Sequence, residues 1–131
     1  MPSLVDTNVL SEFVRPSPNR GVTAWAAEVE RISVSVVSIE EIEFGLSWKP
    51  NKKLAEWFGS FFAEACDTLP ITEAIARRAG VMRGRFLGNG ITRSPADMLI
   101  AATAQVHGLT LVTRNIRDFE GCGIDLLNPF L

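Results

Sequence analysis

Asp6 follows a short apolar run, Glu41 follows a β-branched one by a few residues, Asp97 comes just after a Ser-Pro helix start, and Asp118 comes shortly after the mostly apolar run 109–112. Carboxylates gathered at one place repel each other unless something positive neutralises them. Oxygen ligands of this kind suit a hard divalent cation, Mg²⁺ or Mn²⁺. A cation held that way can activate water and offset the charge that builds up on a phosphate ester, so the chemistry in view is phosphodiester hydrolysis. Each acid also has a plainer use. Asp6 could close a turn or cap a helix, Glu41 could complete a capping box, Asp97 could favour a helix dipole, and Asp118 could be a turn acid at the surface. Only a shared location would set these plainer uses aside, and that depends on the elements that carry the acids.

Ser3-Leu4-Val5 reads as a short strand ending at Asp6, with Thr7 as the cap of a helix carrying Val9, Leu10, Phe13 and Val14. Arg15-Pro16-Ser17-Pro18 breaks that helix, and a second runs from Arg20 to Glu30 with Val22, Trp25, Ala26 and Val29 on one face. Ile32 to Val37 is β-branched and reads as a buried strand. Ser38 is then the expected cap of the next helix, with Glu41 in capping-box position. Residues 52–65 predict one amphipathic helix, and Thr68-Leu69-Pro70 a short strand. Thr72 starts a helix ended by Gly88-Asn89-Gly90. Ser94 and Pro95 open another that runs to His107 and stops at Gly108. Leu109–Val112 is a strand, Asn115–Phe119 a turn or short helix, and Ile124–Leu127 a final strand. Strands alternating with helices imply an α/β fold, a short parallel sheet flanked by helices on both faces. Such sheets bind ligands just beyond the carboxyl ends of their strands, and all four acids map to that edge.

The chain has 131 residues, 47% of them apolar, which suits a single domain spanning 1–131 with a core of its own. No apolar run is long enough to span a membrane, and the first residues lack a basic leader with a long apolar stretch, so a cytoplasmic protein is expected. Cys66, Cys122 and the lone His107 do not make a zinc-ligand pattern and read as structural residues of a reducing compartment. Net charge is −2, which argues against a protein that simply coats nucleic acid. The average hides a pattern, because residues 74–96 carry Arg77, Arg78, Arg83, Arg85 and Arg93 and no acid. That stretch leads directly to Asp97. Arg83 and Arg85 could grip an RNA backbone through their planar donor forks, or the stretch could be an ordinary solvated helix face.

Four segments together carry a resemblance. Leu4-Val5-Asp6-Thr7-Asn8-Val9-Leu10-Ser11-Glu12 resembles the opening of PIN-domain nucleases of the VapC and FitB type. Ser38-Ile39-Glu40-Glu41-Ile42-Glu43-Phe44-Gly45 resembles their second motif, Asp97-Met98-Leu99-Ile100-Ala101-Ala102 the third, and Leu111-Val112-Thr113-Arg114-Asn115 with Asp118-Phe119 the fourth. Asn128-Pro129 also recurs in FitB-like members. The resemblance implies a three-layer α/β/α PIN-like fold and a Mg²⁺- or Mn²⁺-dependent endoribonuclease, the toxin of a type II toxin–antitoxin pair. By it, Asp6, Asp97 and Asp118 are metal ligands and Glu41 shapes the site. Thr7, Asn8 and Thr113 orient carboxylates or bind metal waters. Either Asn115 or Asp118 supplies the fourth position, Asp118 being taken as the acid and Asn115 as its support. A homodimer and a VapB-like or FitA-like antitoxin are implied as partners, and RNA as substrate.

Rival readings meet obstacles. Phosphatases that form an aspartyl-phosphate after a first strand need a second acid two residues on, where this chain has Asn8. A non-cleaving binding module, acting with a DNA-binding partner, has no need of four clustered acids. Gly88-Asn89-Gly90 lacks the lysine and the placement of a phosphate-binding loop, and no Ser–His–Asp arrangement surrounds His107. Trp25, Trp48, Trp57 and the phenylalanines read as core or subunit contacts.

Overall fold

In a computed structural model, which describes residues 1–131, the chain builds one five-stranded parallel sheet. The strands are β1 (Ser3–Val5), β2 (Ile32–Ser35), β3 (Cys66–Leu69), β4 (Thr110–Val112) and β5 (Leu126–Leu127), in the spatial order β3-β2-β1-β4-β5. The chain starts in the middle, builds outward through β2 and β3, then returns to β1's other side for β4 and β5. A doubly wound sheet has its ligand crevice where the strand order reverses, and here that point lies beyond β1 and β4. The two are locked side by side in register, with Leu4 opposite Leu111 and Val5 opposite Val112.

Alternation along these short strands decides the layers. Leu4 and Leu111 enter a core of 11 buried residues with Ile75 and Ala79 of α5 (Glu73–Gly88) and Met98, Ala101 and Ala102 of α6 (Pro95–His107). Val5, Val34 and Val112 enter a second core of 10. There they meet Val9 and Leu10 of α1 (Thr7–Phe13), Val22 of α2 (Arg20–Glu28), Ile42 of α3 (Val36–Trp48) and Phe58 of α4 (Lys52–Ser60). Helices thus cover both faces in three layers. Both cysteines are free and buried, one in each core. No helix is long and apolar enough to cross a membrane.

Several boundaries differ from the sequence reading. Asp6, not Thr7, is the cap of α1, its carboxylate accepting from the Thr7 N–H. Strand β2 stops at Ser35 because that serine accepts from the Val37 N–H and starts the helix three residues earlier than expected. β-branched Val36 and Val37 favour a strand by type, so pattern alone carried the strand past the switch. Ser38 therefore lies inside the first turn of α3 and Glu41 beyond capping range. α2 ends at Glu28, and the helix expected over 52–65 changes at Phe61 into a π-helical turn, Phe61–Ala65. The last strand is only Leu126–Leu127.

Candidate metal-dependent active site

At the switch point the backbone does the first positioning. Asp6 donates its N–H to the Val112 carbonyl at 2.9 Å, extending the β1–β4 ladder by one step. That sets its side chain beside Thr113, whose hydroxyl donates to Asp6 Oδ2 at 2.7 Å. The Asn8 amide donates to the same oxygen at 3.2 Å, and the Thr7 N–H to Oδ1 at 2.8 Å. A carboxylate has about four acceptor positions, so three donors orient it and leave one direction open. Asn8 also accepts the Arg114 N–H at 3.1 Å, and Thr113 accepts the Asn115 N–H at 3.0 Å, which ties the loop after β4 to the start of α1.

Glu41 reaches this group from α3. The Thr7 hydroxyl lies 2.7 Å from Glu41 Oε1 and 2.8 Å from Ser38 Oγ. With one proton to give, Thr7 donates to the carboxylate and accepts from Ser38. Asp97 sits in the first turn of α6, where Ser94 accepts its N–H at 3.0 Å and Pro95 occupies the position that needs no donor. Asp118 is exposed on a 3₁₀ turn, Ile116–Phe119, whose buried Phe119 anchors it under α6. The exposed Asn115 precedes that turn, and its carbonyl accepts the Asp118 N–H at 3.0 Å.

Electrostatics link the acids into a chain. The Asp6 carboxyl is pushed above its ordinary value, mainly by burial, with the charge of Glu41 adding to it against the pull of Thr113, Thr7 and Asn8. Asp97 is pushed up too, mainly by burial, then by the charges of Asp6 and Asp118, with Ser94 and Arg93 opposing. The chain's ion pairs are Arg15–Glu12, Arg31–Asp67 and Arg77–Glu73, so none of the four acids has a cationic partner. No three of its Asp, Glu, His or Cys side chains are gathered as a ready-made ligand cage. An all-oxygen, uncompensated and partly open set fits a cation that keeps much of its own water and takes one or two carboxylates directly, as Mg²⁺ does.

The arginines divide. Arg77 pairs with Glu73, Arg78 donates to Gln105 at 3.2 Å, and Arg93 donates to two backbone carbonyls. The Arg83 and Arg85 side chains bond to nothing. Arg83 borders a shallow depression with Pro95 and Met98 at the start of α6. Arg85 lines a groove of about 620 Å³ with Gln105, Phe86 and Gly121–Gly123. The aromatics divide as well. Trp25, Phe61 and Phe62 pack on the second core, whereas Phe44 and Trp48 are 67% and 72% exposed and lie 6.5 Å apart. The sequence reading passed over Ser38 as a site residue, and Arg114, whose guanidinium rests on the Phe130 ring at 4.7 Å. Serine spacing could have flagged Ser38; nothing local marks Arg114, because Phe130 is distant in the chain.

The chain and its doubly wound sheet have counterparts among known proteins. Residues 3–121 match the family described as PIN domain. The chain belongs to the PIN-domain family. Within it the chain stands with VapC and FitB. It is 33% identical to VapC ribonuclease Y4jK of Sinorhizobium fredii, over 97% of this chain and 96% of that one. It is 32% identical to Toxin FitB of Neisseria gonorrhoeae, over 97% of each chain. The crystal structure of FitAcB from the same organism superposes with a TM-score of 0.84 at 30% identity, covering 97% of both chains.

Proposed function

We propose that this PIN-domain protein is a Mg²⁺- or Mn²⁺-dependent endoribonuclease and the toxin of a toxin–antitoxin pair. The observation that carries the reading is a run of mutually repelling carboxylates starting from Asp6 at the end of β1. Burial raises Asp6 and Asp97, Glu41 adds to the rise of Asp6, Asp6 and Asp118 add to that of Asp97, and none of the four forms an ion pair. The names of the relatives, a ribonuclease and a toxin, support the same conclusion. Asp6, Asp97 and Asp118 would hold the cation, and Glu41 would complete the negative field. Bound there, the cation supplies water activation and neutralises charge on the phosphate in flight. Thr113, Asn8 and the Thr7 N–H keep the Asp6 carboxylate aimed, Thr7 and Ser38 do the same for Glu41, and Asn115 steadies the Asp118 turn. Arg83 and Arg85, free of protein partners, are among the cations available to RNA phosphates.

Assembly follows from the apolar surface. Exposed Phe44 and Trp48 on α3 form the patch for a homodimer. The aromatic face of Trp57 stacked on Phe61, 5.1 Å between rings, suits the apolar side of an antitoxin helix. A basic side chain of that peptide entering the acid cluster would compete with the cation.

The test is a cleavage assay on purified protein and RNA with Mg²⁺, with Mn²⁺ and with chelator, alongside Asp97→Asn prepared in parallel. Metal-dependent cutting by the wild type alone is expected. Cutting that persists in Asp97→Asn defeats the site, and RNA binding without cutting under any metal makes the protein a binding module instead.

A further inference from the structure

Arg93 is the one member of the arginine stretch whose side chain donates to two backbone carbonyls. It sits in the loop between α5 and α6, directly before Ser94, the cap that starts the turn carrying Asp97. Its Nη1 donates to the Arg117 carbonyl at 3.0 Å and its Nη2 to the Glu120 carbonyl at 2.9 Å. Those two carbonyls bracket Asp118. The guanidinium lies over the Phe86 ring of α5, 4.5 Å from its centre, and the chain after the turn crosses the edge of the same ring at Gly121.

From this geometry we infer that Arg93 is a positioning residue that latches the Asp118 turn to the start of α6 and so sets how Asp118 faces Asp97. The inference rests on the reading of Asp97 and Asp118 as parts of one metal site. The turn needs such a latch. It is four residues long, 3₁₀ in form, and its hydrogen bonds are poorer than those of an α-helix. Phe119 pins it from below, while the Asp118 side chain is exposed and has no hydrogen-bond partner of its own. Arginine suits the task because its planar fork reaches two acceptors at fixed angles, which a lysine ammonium on a flexible stem does not. Arg93 also keeps its Nε–H buried without a partner. The guanidinium's polar contacts are thus the two carbonyls. Its positive charge also acts on Asp97, against the charges of Asp6 and Asp118.

The test is a double-substitution cycle with Mn²⁺ as the probe, read by Mn²⁺ affinity and by kcat and KM on a single RNA. Arg93→Ala in the wild type is expected to weaken Mn²⁺ binding or kcat by about 10- to 100-fold, the usual effect of losing a group that orients a metal ligand, with KM little changed. In the Asp118→Asn background the same substitution is expected to cost less than about threefold, because the latch has nothing left to aim. Arg93→Lys is expected not to restore activity. Arg93→Gln carries the same cycle should the alanine variant not fold. Equal losses in both backgrounds, or full rescue by lysine, overturn the latch. If Asp118→Asn alone leaves Mn²⁺ affinity and cleavage intact, it is the metal-site reading of Asp118 that fails.

Discussion

The carboxylate of Asp6 and the hydroxyl of Thr113 stand 107 positions apart in the chain and 2.7 Å apart in the fold. Their meeting follows from the pairing of Val5 with Val112, since the next residue on each strand must then leave the sheet at the same edge. Asp6 is buried, and this hydroxyl is one of three neutral donors, with the Thr7 N–H and the Asn8 amide, that offset the burial of its charge.

Thr113→Val keeps the shape and removes the donor. It leaves Asp6 Oδ2 and the Asn115 N–H each short of a partner, so a loss of about 1–3 kcal/mol in stability is expected. Asp6 loses one of the groups that hold its carboxyl down, so the lower limb of the pH–activity profile should move toward alkaline pH. Urea melts and a pH profile check this. A profile that does not move would show that Thr113 leaves the titration of Asp6 untouched.

Burial raises Asp6 and Asp97 above the ordinary carboxyl value of 3.8, so the fold favours their protonated forms. Their contribution to stability is full below that value and is lost as pH rises through the raised values. Asp97→Asn lacks this penalty. The metal-free variant should match the wild type in acid and become the more stable of the two as pH climbs toward neutral. Mg²⁺ should reverse the order, adding about 2.7 kcal/mol to the wild type at one hundred times its Kd and nothing to the variant. Thermal melts across pH, with and without metal, decide it; parallel curves for the two proteins would contradict an Asp97 raised by burial.

Arg83 and Arg85 face different sides of α5, so their effects should separate. Arg83 borders the helix turn that carries Asp97, and Arg85 lines the groove near Gln105. Each Arg→Gln change should lower the slope of log affinity against log salt by about 1 if that residue meets a phosphate. Mn²⁺ affinity should be unchanged. Slopes identical to wild type in both variants would assign the pair to the solvated surface.

Phe44 and Trp48 sit on the exposed face of α3, so Phe44→Ala with Trp48→Ala removes apolar surface without touching either core. Light scattering should show a dimer becoming a monomer. The stability of the monomer fold should change by no more than about 0.5 kcal/mol. A wild-type protein that is already monomeric at micromolar concentration would remove the dimer from the proposal.

The acids, the alternation of strands and helices, and the caps at Thr72 and Ser94 were legible in the sequence because each is a local signal. A capping hydroxyl acts within three residues, an apolar face repeats within a turn, and Gly108 ends α6 with a left-handed φ of 65° that glycine alone accepts cheaply. Local signals failed where two states suit the same residues. Val36 and Val37 suit a strand by residue type and the first turn of a helix by position: the Ser35 cap starts α3 where the pairing of β2 with β3 ends, at Ser35 opposite Leu69. What tertiary structure alone decided is which distant groups meet. The strand order β3-β2-β1-β4-β5 brings Thr113 to Asp6, the close approach of α3 to α1 brings Ser38 and Glu41 to Thr7, and the loop before α6 lays Arg93 across the carbonyls either side of Asp118. Neither hydrophobic period nor residue type carries that information, because a hydrogen bond across a hundred residues is fixed by the pairing of strands and the packing of helices on them.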